Sequence, residues 1–293
     1  MSGKVLRVGY SVVPKDSREL PENVAVRFHA DGKQALEGTM PRTKLLFPLV
    51  VNLTLSTLAH AEDFAKLDEA LPSDVDALAI APVFDFDGDG CLPSAGISRD
   101  GEMNAGLNTS GGISGGCRSS NFLDTSNTMH RHACVVQAGS EYCAHVYALY
   151  FEKDQILDGI GFGHRHDWEY AAIWTRDGVI THGSYSAHGD LFTDVAENLP
   201  FDDGHLKVVY HKDGLSTHAM RFAAADEPPE NPYGAFVTPT IASWFELHGD
   251  GIGNAAMREL LTGFDYGSAN LPLIDTNFIG DINAFRPASY PAF

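Results

Sequence analysis

The chain is short of positive charge. Its 293 residues hold 20 Lys+Arg against 39 Asp+Glu, a formal net charge of −19. Nucleic-acid binding rests on Lys and Arg meeting phosphates, so that class is excluded. The polybasic route to an anionic membrane is closed for the same reason. Two motifs are also missing: there is no CxxC pair and no HExxH, which removes the common zinc-protease signature. No apolar run reaches the length of about 20 residues that a transmembrane helix needs.

What is present is the composition of a folded protein, 44% apolar and 10% aromatic. The most apolar run, "LLFPLVVNLTLSTL" at 45–58, follows "MPRTK" and precedes "AHAED". Cations, a short apolar core and an A-x-A site make a secretory signal peptide; a buried strand or helix is the plain alternative. Cleavage after Ala61 leaves Glu62 first. The expected organisation is an extension or mis-assigned start at 1–39, a signal peptide at 40–61 and one mature domain at 62–293. Residues 1–61 carry 8 Lys+Arg and 5 Asp+Glu, leaving 12 against 34, a net −22, on residues 62–293. Cys91, Cys117, Cys134 and Cys143 all follow the cleavage site. An even count in an oxidising compartment reads as two disulfides. Three pairings are possible, and the sequential one (91–117, 134–143) is the simplest.

"FAKLDEALP" reads as a short helix ending before Pro72. Residues 84–122, rich in Gly, Ser and Asp without a sustained period, read as loop. Strand-like segments follow: "HVYALYFEK", "WEYAAIWT", "GVITHGSYS", "LKVVYHKDG" and "HAMRFAA". Asp-Gly at 177–178 and 213–214 signals hairpin turns. "NAAMRELLTGF" is a helix, with Gly263 near its C-terminal end. Five closely spaced strands without alternating helices predict a mainly β fold, an antiparallel sandwich flanked by a few helices and long loops.

"GHRHDWE" at 163–169 concentrates the candidate chemistry. Side chains on a regular strand alternate faces. His164, His166 and Trp168 would then share one face, and Arg165, Asp167 and Glu169 the other. A workable arrangement puts "GHRH" in an entering loop and "DWE" on the strand, with Asp167 and Glu169 facing a pocket and His164 curling toward them. Two converging carboxylates without relief raise a pKa sharply, and a cation removes that strain. Oxygen ligands suit calcium or magnesium, and imidazoles suit zinc. A satisfied salt-bridge cluster at a strand end is the alternative without function.

The heptapeptide resembles the signature of the necrosis- and ethylene-inducing peptide 1-like proteins, the Nep1-like or NPP1 family. "YFEKDQ" at 150–155, "VVYHKDGLSTHAMRFA", "YGSANLPLIDTNF", "DFDGDGC" and "YCAHVYALYFEKDQ" are similar to family sequence too, so the resemblance covers essentially all of residues 62–293. It implies a β-sandwich like those of actinoporins and some fungal lectins. It also implies a secreted, extracellular, non-enzymatic cytolysin, a soluble monomer before binding. Such a protein binds the sugar headgroup of plant glycosylinositol phosphorylceramide in the outer leaflet through a divalent cation, calcium or magnesium, and damages the plasma membrane. By the same resemblance Asp154 and Asp167 are metal-binding carboxylates. His164 and Glu169 complete the metal pocket, partly through bound water, and His166, His188 and His218 line it for substrate.

"DFDGDGC" raises a second site, Asp85, Asp87 and Asp89. D-x-D-x-D-G matches the first half of an EF-hand loop, but the twelfth position is Gly96. Four cysteines with this motif resemble the type II subgroup, for which a second calcium site is implied; a solvated acidic turn is the alternative. Two other functional classes stay open: a metal-dependent hydrolase of plant cell-surface glycans or lipids, in which the cluster activates water, and a non-cytolytic lectin-like member.

Overall fold

The structure, a computed structural model, describes residues 64–293. The expectations for 1–39 and 40–61 lie outside the described residues. Ten strands and two helices follow in chain order: β1 (Val83–Phe86), β2 (Asn127–Gln137), β3 (Ser140–Leu157), β4 (Ile160–Arg176), β5 (Val179–Ala187), β6 (Asp190–Val195), β7 (Phe201–Asp202), β8 (His205–Lys212), β9 (His218–Phe222), β10 (Thr240–Ser243), α1 (Asn254–Gly263) and α2 (Phe278–Phe285). The large sheet has the order β10-β2-β3-β4-β5-β6. In the small sheet β8 pairs with β1, β7 and β9.

The mainly β expectation holds, with four differences. Ten strands stand where five were expected, and β2, β6, β7 and β10 lie outside the segments read as strands. The sheets are not purely antiparallel, because β1–β8 and β10–β2 pair in parallel. β1 lies inside the stretch expected to be loop. Residues 64–72 form no helix: Ala70 bridges Ala242, with its N–H on the Ile241 carbonyl at 3.0 Å. Leu67 and Ala70 are buried, so pairing at the sheet edge overrides a local spacing that fits a helical turn. The disulfides are the sequential pair, Cys91–Cys117 and Cys134–Cys143.

Both faces of the large sheet are covered, and this explains the unbroken buried run Cys143–Phe151 in β3. One face packs Tyr147, Leu149, Phe151, Ala171 and Ile173 against Phe84, Phe86, Val208 and Tyr210 of the small sheet. The other packs Tyr150, Trp168 and Trp174 against Met257 and Leu261 of α1 and Phe278 and Ile282 of α2. Tight turns set the register. Ala138-Gly139, Asp177-Gly178, His188-Gly189 and Asp203-Gly204 all have both φ values positive, between 46° and 89°, the geometry that matches strand twist in two-residue hairpins.

One buried cluster sits apart from the pocket. His130 and His132 of β2 and His145 of β3 stand with ring centroids 5.5–5.7 Å apart. Asp74 accepts from or faces His132 Nε2 at 3.2 Å, while both ring nitrogens of His130 lack a protein partner. Burial first, then the charge of His132, pushes His145 down to about 3; burial and both neighbouring rings push His130 well below its ordinary range. A histidine pKa depressed by folding stabilises the fold above about pH 6.5, and that stability is lost as the unfolded chain takes up protons the fold refuses. Between pH 6.5 and 4 His145 alone withdraws about 3 kcal/mol. Urea unfolding at pH 7 and pH 4 checks this: His145→Gln is expected to lose less stability on acidification than the wild type by about that amount.

Candidate functional site

β3 and β4 form the floor of the site. Asp154 of β3 lies directly across from His164 of β4, and Phe151 across from Asp167, but the intervening Glu152 and His166 do not pair. His166 has φ +62°, a left-handed conformation that costs a residue with a Cβ about 1–2 kcal/mol. "GHRH" is therefore strand rather than entering loop, and a single left-handed residue within that strand breaks the alternation. This brings His164 to the face of Asp167. His166 itself, expected in the pocket, turns into the helix-side core, where Tyr150 Oη meets its Nδ1 at 2.6 Å and Tyr266 packs edge-on.

The first letter of the heptapeptide is equally constrained. Gly163 has φ +112°, and a Cβ there would stand 2.0 Å from the Asp154 carbonyl oxygen. Only glycine lets the two strands approach so closely. The neighbours of Asp154 in "KDQ" brace the floor. Lys153 donates to the Gly112 carbonyl at 2.7 Å, and Gln155 Nε2 to the carbonyls of Gly111 (2.8 Å) and Leu157 (2.7 Å).

Ligand-type atoms of Asp154, His164 and Asp167 all lie within 4.8 Å of one another. His164 Nδ1 is 2.7 Å from the His166 carbonyl. A carbonyl only accepts, so Nδ1 carries a proton, and in the neutral ring Nε2 then presents a bare lone pair. That Nε2 is 3.8 Å from Asp154 Oδ2, and as electron-pair donors the two groups would help hold a divalent cation. His218 completes the wall. Its backbone N–H donates to both Asp154 oxygens at 3.0 Å, and its Nδ1 faces Oδ1 at 2.7 Å. Its Nε2 faces the Asp89 carbonyl at 3.2 Å.

Asp154, Asp167 and Glu169 are all buried. Burial, then the charge of Asp154, drives Asp167 well above the ordinary carboxylate range, against the Tyr210 hydroxyl that donates to it at 3.0 Å. Burial, then Asp167, drives Glu169 up as well. Glu169 accepts from Ser186 Oγ and stands outside the three-atom ligand set. The donor set of buried carboxylates and one bare imidazole nitrogen fits a divalent cation. Tyr210 and Ser186 have no local sequence signal, since they reach the site from β8 and β5.

His188 does not join this set. It occupies a two-residue turn, φ +53°, and pairs at the surface with Asp213 at 2.9 Å. Asp85, Asp87 and Asp89 do not converge either. Asp85 is wholly buried and accepts from the N–H groups of Glu230 (2.9 Å) and Asn231 (3.1 Å) and from Asn231 Nδ2 (2.7 Å). Asp87, pushed up to about 6 by burial, meets Arg221 at 3.5 Å. The loop carbonyls of Asp87 and Gly90 accept from Arg118 Nη1 at 2.7 Å, and that of Phe86 from Nη2 at 3.4 Å. The protein thus supplies this loop with a guanidinium. The second acidic cluster, Cys134, Glu141 and Cys143, offers no thiolates because the two cysteines are bridged.

Calcium titration by calorimetry is expected to return one ion per chain, lost in Asp154→Asn and Asp167→Asn and kept in Asp89→Asn. His166→Asn, which tolerates a left-handed backbone, is expected to keep the ion, whereas the β-branched His166→Val weakens it by about tenfold or more, since the strain falls on the pocket.

Comparisons with known proteins identify the family and the fold. The family profile described as "Necrosis inducing protein (NPP1)" matches residues 75–284. NLP effector protein 10 of Phytophthora capsici is 30% identical over 195 residues, covering 64% of this chain and 74% of its own length. Necrosis-inducing protein NPP1 of Phytophthora nicotianae is 29% identical over 203 residues, 67% of this chain and 76% of its own. Among solved structures, the non-toxic HaNLP3 protein aligns with a TM-score of 0.62 at 25% identity, over 79% of this chain and all of its own. NLPPya in complex with mannosamine aligns with a TM-score of 0.58 at 25% identity, over 74% of this chain and 94% of its own. The profile spans well over half of the residues, and the chain belongs to the NPP1 family of necrosis-inducing proteins.

Proposed function

We propose that this protein is a secreted cytolysin directed at plants. Its acidic pocket takes the sugar headgroup of glycosylinositol phosphorylceramide with the help of calcium or magnesium, and the protein then damages the plasma membrane. The observation that carries this reading is the convergence of Asp154, Asp167 and the bare Nε2 of His164 within 4.8 Å. When bound, the cation neutralises the carboxylates and offers open positions to hydroxyl or phosphate oxygens. The residues of the chain do the rest. His218 and the β9 backbone hold Asp154 in place, Tyr210 orients Asp167, and Ser186 orients Glu169 toward the pocket. NLPPya structures in complex with mannosamine and glucosamine support a sugar as ligand. The −22 charge of residues 62–293 is consistent with cation-dependent attachment, because Lys and Arg are too few to supply it.

A second reading has its own support: the non-toxic HaNLP3 shares the fold, so headgroup binding without membrane damage is compatible with this architecture. Dye-filled vesicles with and without the plant sphingolipid, in calcium or in chelator, separate the readings. Leakage that needs both lipid and cation is the expected result, reduced at least about tenfold in Asp167→Asn and Glu169→Gln. Binding without leakage supports the lectin-like member. Loss of headgroup with turnover supports a hydrolase, and unchanged lysis by both variants removes the pocket from the mechanism.

A further inference from the structure

Three of the twelve exposed large hydrophobic residues among those described fall within six positions, Leu157, Ile160 and Phe162, at 41%, 49% and 57% exposure. They sit on the β3–β4 hairpin, whose strands carry Asp154 and His164. Leu157 and Ile160 are direct cross-strand partners, and Phe162 is two residues further along the same strand face. One side of the tip is therefore an apolar stripe running toward the pocket.

The tip is braced. The Gly159 N–H donates to the Gly111 carbonyl at 2.8 Å, and the Ile113 N–H to Asp158 Oδ1 at 2.5 Å. Behind it Gln155 and Lys153 hold the same 111–112 segment. A fourth exposed apolar residue, Leu215, 90% exposed, stands on the β8–β9 turn. That turn lies at the same end of the molecule: Asp213 contacts His188 of the β5–β6 turn, and His218 at the start of β9 contacts Asp154.

We infer that the β3–β4 hairpin is a membrane wedge, whose Leu157, Ile160 and Phe162 enter the apolar region of a lipid leaflet beside the headgroup held in the pocket. The inference rests on the pocket reading for its orientation. It favours a lipid leaflet over a protein partner because the apolar residues occupy separate convex tips. A fluid leaflet conforms to both tips, whereas a protein would need a matching cavity for each. The net −22 of residues 62–293 points the same way, since attachment to an anionic surface without basic residues needs apolar insertion as well as a bridging cation.

The test uses the purified protein, Phe162→Trp, and the double variant Ile160→Ser with Phe162→Ser. Vesicles are phosphatidylcholine alone or with glycosylinositol phosphorylceramide, in calcium or chelator. The Phe162→Trp emission is expected to shift to the blue and to be quenched by brominated acyl chains only with sphingolipid and calcium. The double variant is expected to keep calcium binding and its thermal midpoint but to need at least about tenfold more protein for half-maximal leakage. Unchanged emission on vesicles that carry the protein down, or wild-type leakage by the double variant, overturns the wedge and leaves the pocket standing. A blue shift on phosphatidylcholine alone in chelator keeps the wedge and overturns the pocket reading. No attachment to either vesicle overturns both.

Discussion

The mutual repulsion of three buried carboxylates organises this molecule. Asp154, Asp167 and Glu169 are out of water, and burial with the charge of Asp154 raises Asp167 while burial with the charge of Asp167 raises Glu169. Burying such charges without compensation is prohibitive, and the surrounding structure reads as a set of partial compensations. The imidazole of His218, the hydroxyls of Tyr210 and Ser186 and the β9 backbone each satisfy one lone pair. None of them lies between Asp154, Asp167 and the bare nitrogen of His164. A pocket that is satisfied on its outer side and repulsive on its inner side suits the imported cation of the proposed function.

Seven adjacent residues build this by dividing the labour. Gly163 permits the close approach of β3, and Arg165 ties the strand to the neighbouring loop through the Ala105 carbonyl at 2.9 Å and through Asn108. His166 supplies the left-handed step, and its ring is held on the far side by Tyr150. Trp168 anchors the strand in the core, 5% exposed. Only His164, Asp167 and Glu169 face the chemistry. The strain at His166 is maintained because the packing of its ring and the pairing on either side leave the backbone no other path, which is how strained residues persist at functional sites.

The pairing of Asp167 with Glu169 on one face was legible from strand alternation, and the place of Asp154 beside Asp167 from the resemblance of "KDQ" to the family motif. So were the long central strands, the sequential disulfides and α1. The placement of His166 was not legible, because a non-glycine left-handed residue within a strand leaves no compositional trace. The turns at Ala138-Gly139 and His188-Gly189 escaped for a related reason: their first residues are not the Asn or Asp that usually mark such turns. His188 is at the surface because of that turn. Residues 64–72 misled because apolar residues three apart suit a helix, yet here they serve an extended segment on the edge of β10. Tyr210 and Ser186 are tertiary recruits from other strands, invisible to any local pattern.

"DFDGDGC" and "GHRHDWE" answer the same electrostatic problem in opposite ways. In the first, the acidic groups are separated and given internal partners. Asp85 takes three N–H donors, Asp87 takes Arg221, and the inward carbonyls take Arg118, which the adjacent Cys91–Cys117 bridge delivers to the loop. The loop is then rigid enough to support the pocket: Asp89 offers its carbonyl to His218, and a Cβ on Gly90 would come within 2.9 Å of the same ring. In the second, the carboxylates converge and no arginine or lysine is placed among them. A guanidinium inside the pocket would satisfy it permanently and leave no open coordination position for a headgroup. On the proposed function, an exchangeable ion would neutralise the charge only when present, so the same feature that makes the pocket costly in isolation would make attachment conditional on cation and ligand together.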